Sequence, residues 1–151
     1  MILADIRQQG SYDCGIAAVR VVLRHYRKKW ADDYAVRLNT NEIDGTDPRN
    51  IEIMFRFLGF HVVSGNMDAN DLRHHTGLDR PVIALIQRGG VGHYVIVSSL
   101  DGGRIHYQDP ADGPISSSLR SFVTNWSDVD RLGAIYDSFG IVAWIPRKRA
   151  A

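Results

Sequence analysis

The spacing of apolar residues changes once along this chain, near residue 80, and that change limits the architectures open to it. Before that point the apolar residues recur at helical spacing. Ile16, Val19, Leu23, Tyr26 and Trp30 fall on one side of a pattern running from Tyr12 to Trp30, and Arg20, Arg24, Arg27 and Lys28 fill much of the other. Asp13 is placed to cap this helix, its carboxylate accepting from first-turn N–H groups. Asp32 to Leu38 reads as a second short helix, and Asn39 to Thr46 as a polar loop. Asp47-Pro48 is a helix start, a capping carboxylate followed by proline at the first helical position. The stripe Ile51, Met54, Phe55 and Leu58 follows, and Gly59 stops it. Phe60 to Ser64 reads as a strand, and Asp68 to Thr76 as a small helix capped by Asp68 and closed by Gly77. Residues 2–7 fit a short strand.

Beyond residue 80 the pattern is that of strands. Pro81 to Gln87 and His93 to Leu100 are apolar, β-branched runs. Asp101-Gly102-Gly103 is a turn signal, and Arg104 to Gln108 alternates after it. Ser116 to Trp126 has a short helical pattern carrying Leu119, Phe122 and Trp126. Phe139 to Ile145 is a final strand, ended by Pro146. Helices first and an antiparallel sheet after them make an α+β layout. With 151 residues, no internal repeat and no linker-like stretch, residues 1–151 read as a single domain with room for a proper core.

Bulk composition excludes several classes. A formal net charge of +1 gives no global field for nucleic acid or membrane, so neither is expected as a partner. No apolar run approaches the roughly 20 residues of a membrane span, and Met1 to Asp5 lacks the charged start and apolar core of a signal peptide. One cysteine rules out an internal disulfide framework and any metal site built on several thiolates. The chain therefore reads as cytoplasmic, with a reduced thiol. Neither metal nor cofactor is expected. Arg147-Lys148-Arg149 is too short for a nucleic-acid arm and reads as a solvated end or the stub of a linker.

That single thiol, Cys14, stands where the loop Gln8-Gln9-Gly10-Ser11-Tyr12-Asp13 runs into the first helix. Unpaired N–H groups and the positive end of the helix dipole favour a thiolate there, and the thiolate is the nucleophile. The plainer alternative is a small buried hydrophobe. A nucleophilic cysteine needs a base and a group to orient it. Of six histidines, His25, His61, His74, His75 and His106 read as ordinary structural residues. The adjacent pair His74-His75 is also a poor metal clamp, since neighbours point to different parts of a helix surface. His93 differs. It follows Arg88-Gly89-Gly90-Val91-Gly92, where glycine lets backbone approach a substrate closely, and it opens a strand. Counting back from the turn at 101–103 sets His93 near positions 109 to 111 of the partner strand, so a His93–Asp109 pair is within diagonal reach. Pro110 ends that strand. The oxyanion of an acyl-transfer step needs donors. The Cys14 N–H is one, and a side-chain amide upstream would be another. Spacing alone leaves Gln8 and Gln9 both open.

These residues resemble a known family. Gln8, four residues, then Asp13-Cys14-Gly15-Ile16-Ala17 is similar to the opening motif of the bacteriocin-processing, double-glycine cysteine peptidases, a papain-like group. Gly92-His93-Tyr94-Val95-Ile96-Val97 resembles the family's histidine motif, and Asp109-Pro110-Ala111-Asp112-Gly113 its Asp-Pro-Ala-x-Gly motif. Softer matches are Gly45-Thr46 before a helix, Pro81 to Ala84 before the histidine loop, and Phe122 with Trp126 after the aspartate. The resemblance implies a papain-like fold with N-terminal helices packed on a C-terminal antiparallel sheet. It also implies Cys14 as nucleophile, His93 as general base, Asp109 as its orienter, and Gln8 with the Cys14 N–H as the oxyanion hole. It implies a peptide substrate cut after Gly-Gly or Gly-Ala, and an ABC exporter as the partner of many members, which would hold the domain at the cytoplasmic face of a membrane without inserting it. Two departures stand against a plain exporter domain. Arg27-Lys28-Lys29-Trp30 replaces the expected Tyr-Gly helix ending, and no transporter is attached, as in a stand-alone relative whose substrate need not be a double-glycine leader. An amide transferase or deamidase using the same acyl-thioester, and a non-catalytic peptide-binding domain, are the rival readings.

Overall fold

In the computed structural model, which describes residues 1–146, the two periods become two kinds of layer. Six strands form one antiparallel sheet in the order β1-β8-β2-β3-β4-β5. They are β1 (His61–Asn66), β2 (Val82–Arg88), β3 (Val91–Asp101), β4 (Arg104–Asp109), β5 (Gly113–Ser118) and β8 (Phe139–Trp144). A separate two-stranded ribbon pairs β6 (Ser127–Val129) with β7 (Ile135–Asp137). Helices α1 (Cys14–His25), α2 (Asp33–Leu38) and α3 (Pro48–Phe57) precede β1, α4 (Ala69–Gly77) follows it, and α5 (Leu119–Asn125) follows β5. The fold is α+β, as the periodicity implies.

Both faces of the sheet are covered, which explains why the central strands read as unbroken apolar runs. Ile83, Leu85, Tyr94, Ile96 and Ile141 face α1 and α3, meeting Val19, Leu23, Ile51 and Phe55. On the other face Val82, Ala84, Val95 and Val97 pack with Leu72 of α4 and with Phe122 and Trp126. Trp126 also donates its indole N–H to the Phe139 carbonyl at 2.9 Å. The expected order of helices followed by sheet is thus only partly kept. β1, from the first half of the chain, pairs with β8, and α4 and α5 close the far face.

Several boundaries move for identifiable reasons. Helix α1 begins at Cys14 and ends at His25, short of Trp30. Arg27 takes a left-handed φ of +57° and the Lys28 N–H turns back to the Leu23 carbonyl. Asp13 does not cap α1. Its carboxylate accepts instead from the backbone N–H groups of Gln9 and Gly10, at 2.9 and 2.8 Å. Asp47 does cap α3, accepting from Arg49 N–H at 2.8 Å, and Asp68 forms a reciprocal capping box with Asp71. Gly77 is the last residue of α4, and Asp79 takes the left-handed turn (φ +61°) after it. Residues 2–7 form no strand, because nothing pairs with them along a ladder. The pattern over 116–126 splits. Ser116 to Ser118 end strand β5, where small polar residues at a sheet edge give no apolar signal, and Ser118 caps α5 through Ser121 N–H. The basic tail at 147–149 lies outside the described residues.

The α1 start is seated by one close approach. A Cβ on Gly15 would lie 2.5 Å from Thr46 Oγ1 and 2.6 Å from Thr46 Cβ. Thr46 is itself fixed, its hydroxyl 2.6 Å from that of Thr40 and its carbonyl accepting from Tyr94 O–H at 2.7 Å. Alanine inside a helix ordinarily gains about 1 kcal/mol over glycine. Here the overlap costs more, about 1–3 kcal/mol. Gly15→Ala is therefore expected to destabilise the protein and disturb the position of Cys14. Urea unfolding checks it, and an unchanged or raised midpoint would show that Thr46 yields.

Candidate active site

Cys14 is the first residue of α1 and is 9% exposed. Because Asp13 turns its carboxylate backwards, no side chain caps α1, and the first-turn amides stay available at the mouth of a cleft. This cleft, of about 800 Å³, is lined by Gln8, Cys14 and His93 among others, with Tyr94 and Leu85 also contributing. Its rim is crossed by an ion pair from Arg131 Nε to Asp44 Oδ1 at 3.0 Å. No other histidine among the described residues lines it. His25 sits 2.9 Å from the Asp79 carbonyl, His61 stacks on Trp144, and His106 contacts the Asp101 carboxylate.

The hairpin β3–β4 brings His93 and Asp109 together, and it does so through an irregularity. From the tip, Asp101 pairs with Arg104 and Ser99 with His106; then a bulge at Ser98 shifts the register, and Val97 pairs with Tyr107 and Ile96 with Gln108. Continued one step, the shifted register sets Asp109 opposite Val95, on the same face as His93 and diagonal to it. Without the bulge Asp109 would oppose Ile96 and point to the other face. His93 Nε2 lies 2.7 Å from Asp109 Oδ1, and both residues are buried. A backbone N–H from Ala111 also reaches Asp109 Oδ1 at 2.7 Å. With Nε2 held by Asp109, Nδ1 is the ring nitrogen left for a further partner.

The electrostatics follow from these contacts. Burial alone would lower the His93 pKa. The hydrogen bonds to Asp109 and Cys14, and the attraction of both groups, outweigh it and raise the imidazole from 6.5 to about 9. Burial would likewise raise Asp109, but the hydrogen bonds from His93 and Ala111 N–H, with the charges of His93 and Arg88, hold it below the ordinary carboxylate range. At neutral pH the pair is therefore a carboxylate bonded to an imidazolium, beside the sulfur.

Gln8 lines the cleft and Gln9 does not. The Gln8 backbone N–H donates to the Pro110 carbonyl at 2.8 Å, and its Nε2 donates to the Gly10 carbonyl at 2.7 Å. That acceptor fixes which end of the amide is nitrogen, and the NH₂ keeps a second N–H. Gly89 and Gly90 make the turn between β2 and β3 with φ of +59° and +78°. Gly92 has a separate reason to be glycine, since any Cβ there would run into the Asp128 carboxylate, itself held by Gln87 Nε2. Asp128 escapes a reading by motif, and the soft match at Gly45-Thr46 does not disclose the contact of Thr46 with Gly15, because both contacts are with glycines far away in sequence. Among the described residues no group of three or more His, Cys, Asp or Glu is placed to hold a metal ion, and no helix is long and apolar enough to cross a membrane.

Comparison with known proteins places this arrangement. Residues 4–130 match the model of the peptidase C39 family. The lactococcin-G-processing and transport ATP-binding protein LagD of Lactococcus lactis is 30% identical over 125 residues, covering 82% of this chain and 18% of LagD. An uncharacterized protein of Methanothermobacter marburgensis is 30% identical over 110 residues, 73% of each chain. Among solved structures, the peptidase domain of the Streptococcus ABC transporter ComA superposes with a TM-score of 0.74 at 21% identity, covering 93% of this chain and 96% of that one. A double glycine motif protease from an AMS/PCAT transporter, solved with its leader peptide, gives 0.71 at 19% identity, covering 94% and 91%.

The raised imidazole gives a signed expectation. A cation favoured by the fold stabilises fully below pH 6.5, and that contribution is lost as pH rises through about 9. The His93 ring protons should titrate near 9 by NMR in the native protein, and thermal stability should fall on the same alkaline limb. In Asp109→Asn both should move to lower pH. An unmoved His93 titration would show that Asp109 does not govern the imidazole.

Proposed function

This chain belongs to the peptidase C39 family of cysteine peptidases, and from that premise we propose that it cleaves a peptide, after Gly-Gly or Gly-Ala in a leader-like segment, through an acyl-enzyme on Cys14. The observation that carries the reading is the buried His93–Asp109 pair, 2.7 Å apart, with His93 lining the same cleft as Cys14 at its uncapped helix start.

The roles follow from that geometry. At neutral pH His93, as the imidazolium, already carries on Nδ1 the proton taken from the thiol, and the Cys14 sulfur attacks the scissile carbonyl as the thiolate. The oxyanion that develops meets the Cys14 N–H and the free N–H of the Gln8 amide, each such donor being worth roughly 3 kcal/mol. The tetrahedral adduct collapses as His93 passes its proton to the leaving amine, giving a thioester and a shortened peptide. Water, deprotonated by His93, then releases the acid and restores the thiol. Asp109 keeps its charge throughout and fixes the ring.

LagD is named for processing and transport, and the AMS/PCAT protease was solved with a leader peptide. By analogy, a leader-bearing peptide is the substrate class proposed here, in the reducing cytoplasm beside an ABC exporter. The match spans less than a fifth of LagD, so that exporter need not share the chain.

The test is mass spectrometry of peptides carrying Gly-Gly or Gly-Ala followed by a short cargo, incubated with the protein. Cleavage after the second small residue is expected, with Cys14→Ala and His93→Ala each losing at least about 10³-fold in turnover while remaining folded. A gain of one dalton or an adduct in place of cleavage would indicate deamidation or transfer, and undiminished turnover in Cys14→Ala would overturn the reading.

A further inference from the structure

Residues 1–9 form no helix or strand, yet Asp5 to Gln8 are fastened to the end of β4 by a chain of polar contacts. Gln108, only 3% exposed, donates from Nε2 to Asp5 Oδ1 at 2.6 Å. Arg7 donates from Nε and NH2 to the same carboxylate at 2.6 and 3.2 Å. The Arg7 guanidinium lies against Gly113, where any Cβ would collide with it and where φ is +90°. Gln8 N–H then donates to the carbonyl of Pro110, the residue after Asp109. Leu3 and Ile6 pack on the core from the same segment.

The Gln8 side chain depends on this segment for its place. Among the described residues its Oε1 is buried with no partner, and its one side-chain hydrogen bond, from Nε2, goes to the Gly10 carbonyl within its own loop. Little but the backbone on either side therefore fixes the amide. Gly10 is held by the Asp13 carboxylate on one side, and Pro110 holds Gln8 itself on the other. We propose that the Asp5–Gln8 segment is a strap that positions the Gln8 amide relative to Asp109, with Gln108 as its buried anchor. Gln108 is thus a positioning residue, acting on the oxyanion through Gln8. The proposal rests on the oxyanion role given to Gln8 above.

The experiment separates carbonyl chemistry from thiol reactivity. Alkylation of Cys14 by iodoacetamide needs the sulfur and His93 but develops no oxyanion on a carbonyl, whereas peptide cleavage needs both. Gln108→Leu keeps the volume and removes the donor. In the full chain it is expected to lower kcat on the Gly-Gly peptide about tenfold, part of the 10²–10³ a lost oxyanion donor costs. KM and the rate of iodoacetamide labelling should stay within about twofold. In a Gln8→Ala background, where the donor is already gone, Gln108→Leu should change kcat by less than about twofold. Asp5→Asn, which keeps an acceptor for Gln108, should retain most of the activity lost in Asp5→Ala. Wild-type kcat in Gln108→Leu, an equal loss in both backgrounds, or a parallel loss of labelling would each overturn the strap while leaving Gln8 in its role. Wild-type kcat in Gln8→Ala would overturn the oxyanion assignment and the strap with it.

Discussion

A carboxylate buried without a partner is too costly to keep, so the position of Asp109 dictates much of what surrounds it. Its charge is held by the His93 ring at 2.7 Å and by the Ala111 N–H at 2.7 Å. The first contact requires β3 and β4 to be in the shifted register, and the second requires the chain to turn sharply after β4. Pro110, between Asp109 and Ala111, makes that turn and offers its carbonyl to Gln8. One buried charge thereby fixes a ring, a turn and the N-terminal segment, and of these the His93 ring and Gln8 line the cleft. Cys14 arrives there from the helical layer, seated by the contact of Gly15 with Thr46.

Asp13 shows how a local rule gives way at a site. An aspartate before an apolar helix ordinarily accepts from the first-turn amides. Here it accepts from Gln9 and Gly10 instead. The exchange ties down the loop that carries Gln8, and it leaves the first-turn amides of α1 beside Cys14 without a side-chain cap. A capped helix would be the better helix and the poorer anion site.

The parts of the site differ in how openly the residues announce them. Cys14 at a helix start can be read from periodicity, and a count back from Gly102-Gly103 brings His93 near Asp109, but the shared face that joins them is set by the bulge. The α+β layout is legible from periodicity as well. Gln8 could not be separated from Gln9 on spacing alone, and needed the resemblance. The physical difference is that Gln9 gives its backbone N–H to Asp13 and lies outside the cleft, which is a tertiary fact. Strand β5 was hidden by Ser116 to Ser118 at a sheet edge, and β6 and β7 by their three-residue lengths. The bulge was hidden because Ser98 and Ser99 fit either face. Gln108 and Asp128 carry no motif, and Thr46 only a soft one; each matters through contacts made across the fold.

The bulge at Ser98 gives the β3–β4 hairpin two registers, one set by the turn and one serving Asp109. Ser98, whose hydroxyl donates to the His106 carbonyl at 3.1 Å, takes up the difference like an expansion joint in a rail. The turn at Gly102-Gly103 lies on the other side of that joint from His93 and Asp109, with open space around both glycines. The far end of this hairpin is accordingly a place where a foreign loop, an epitope or a spectroscopic label would sit away from the cleft.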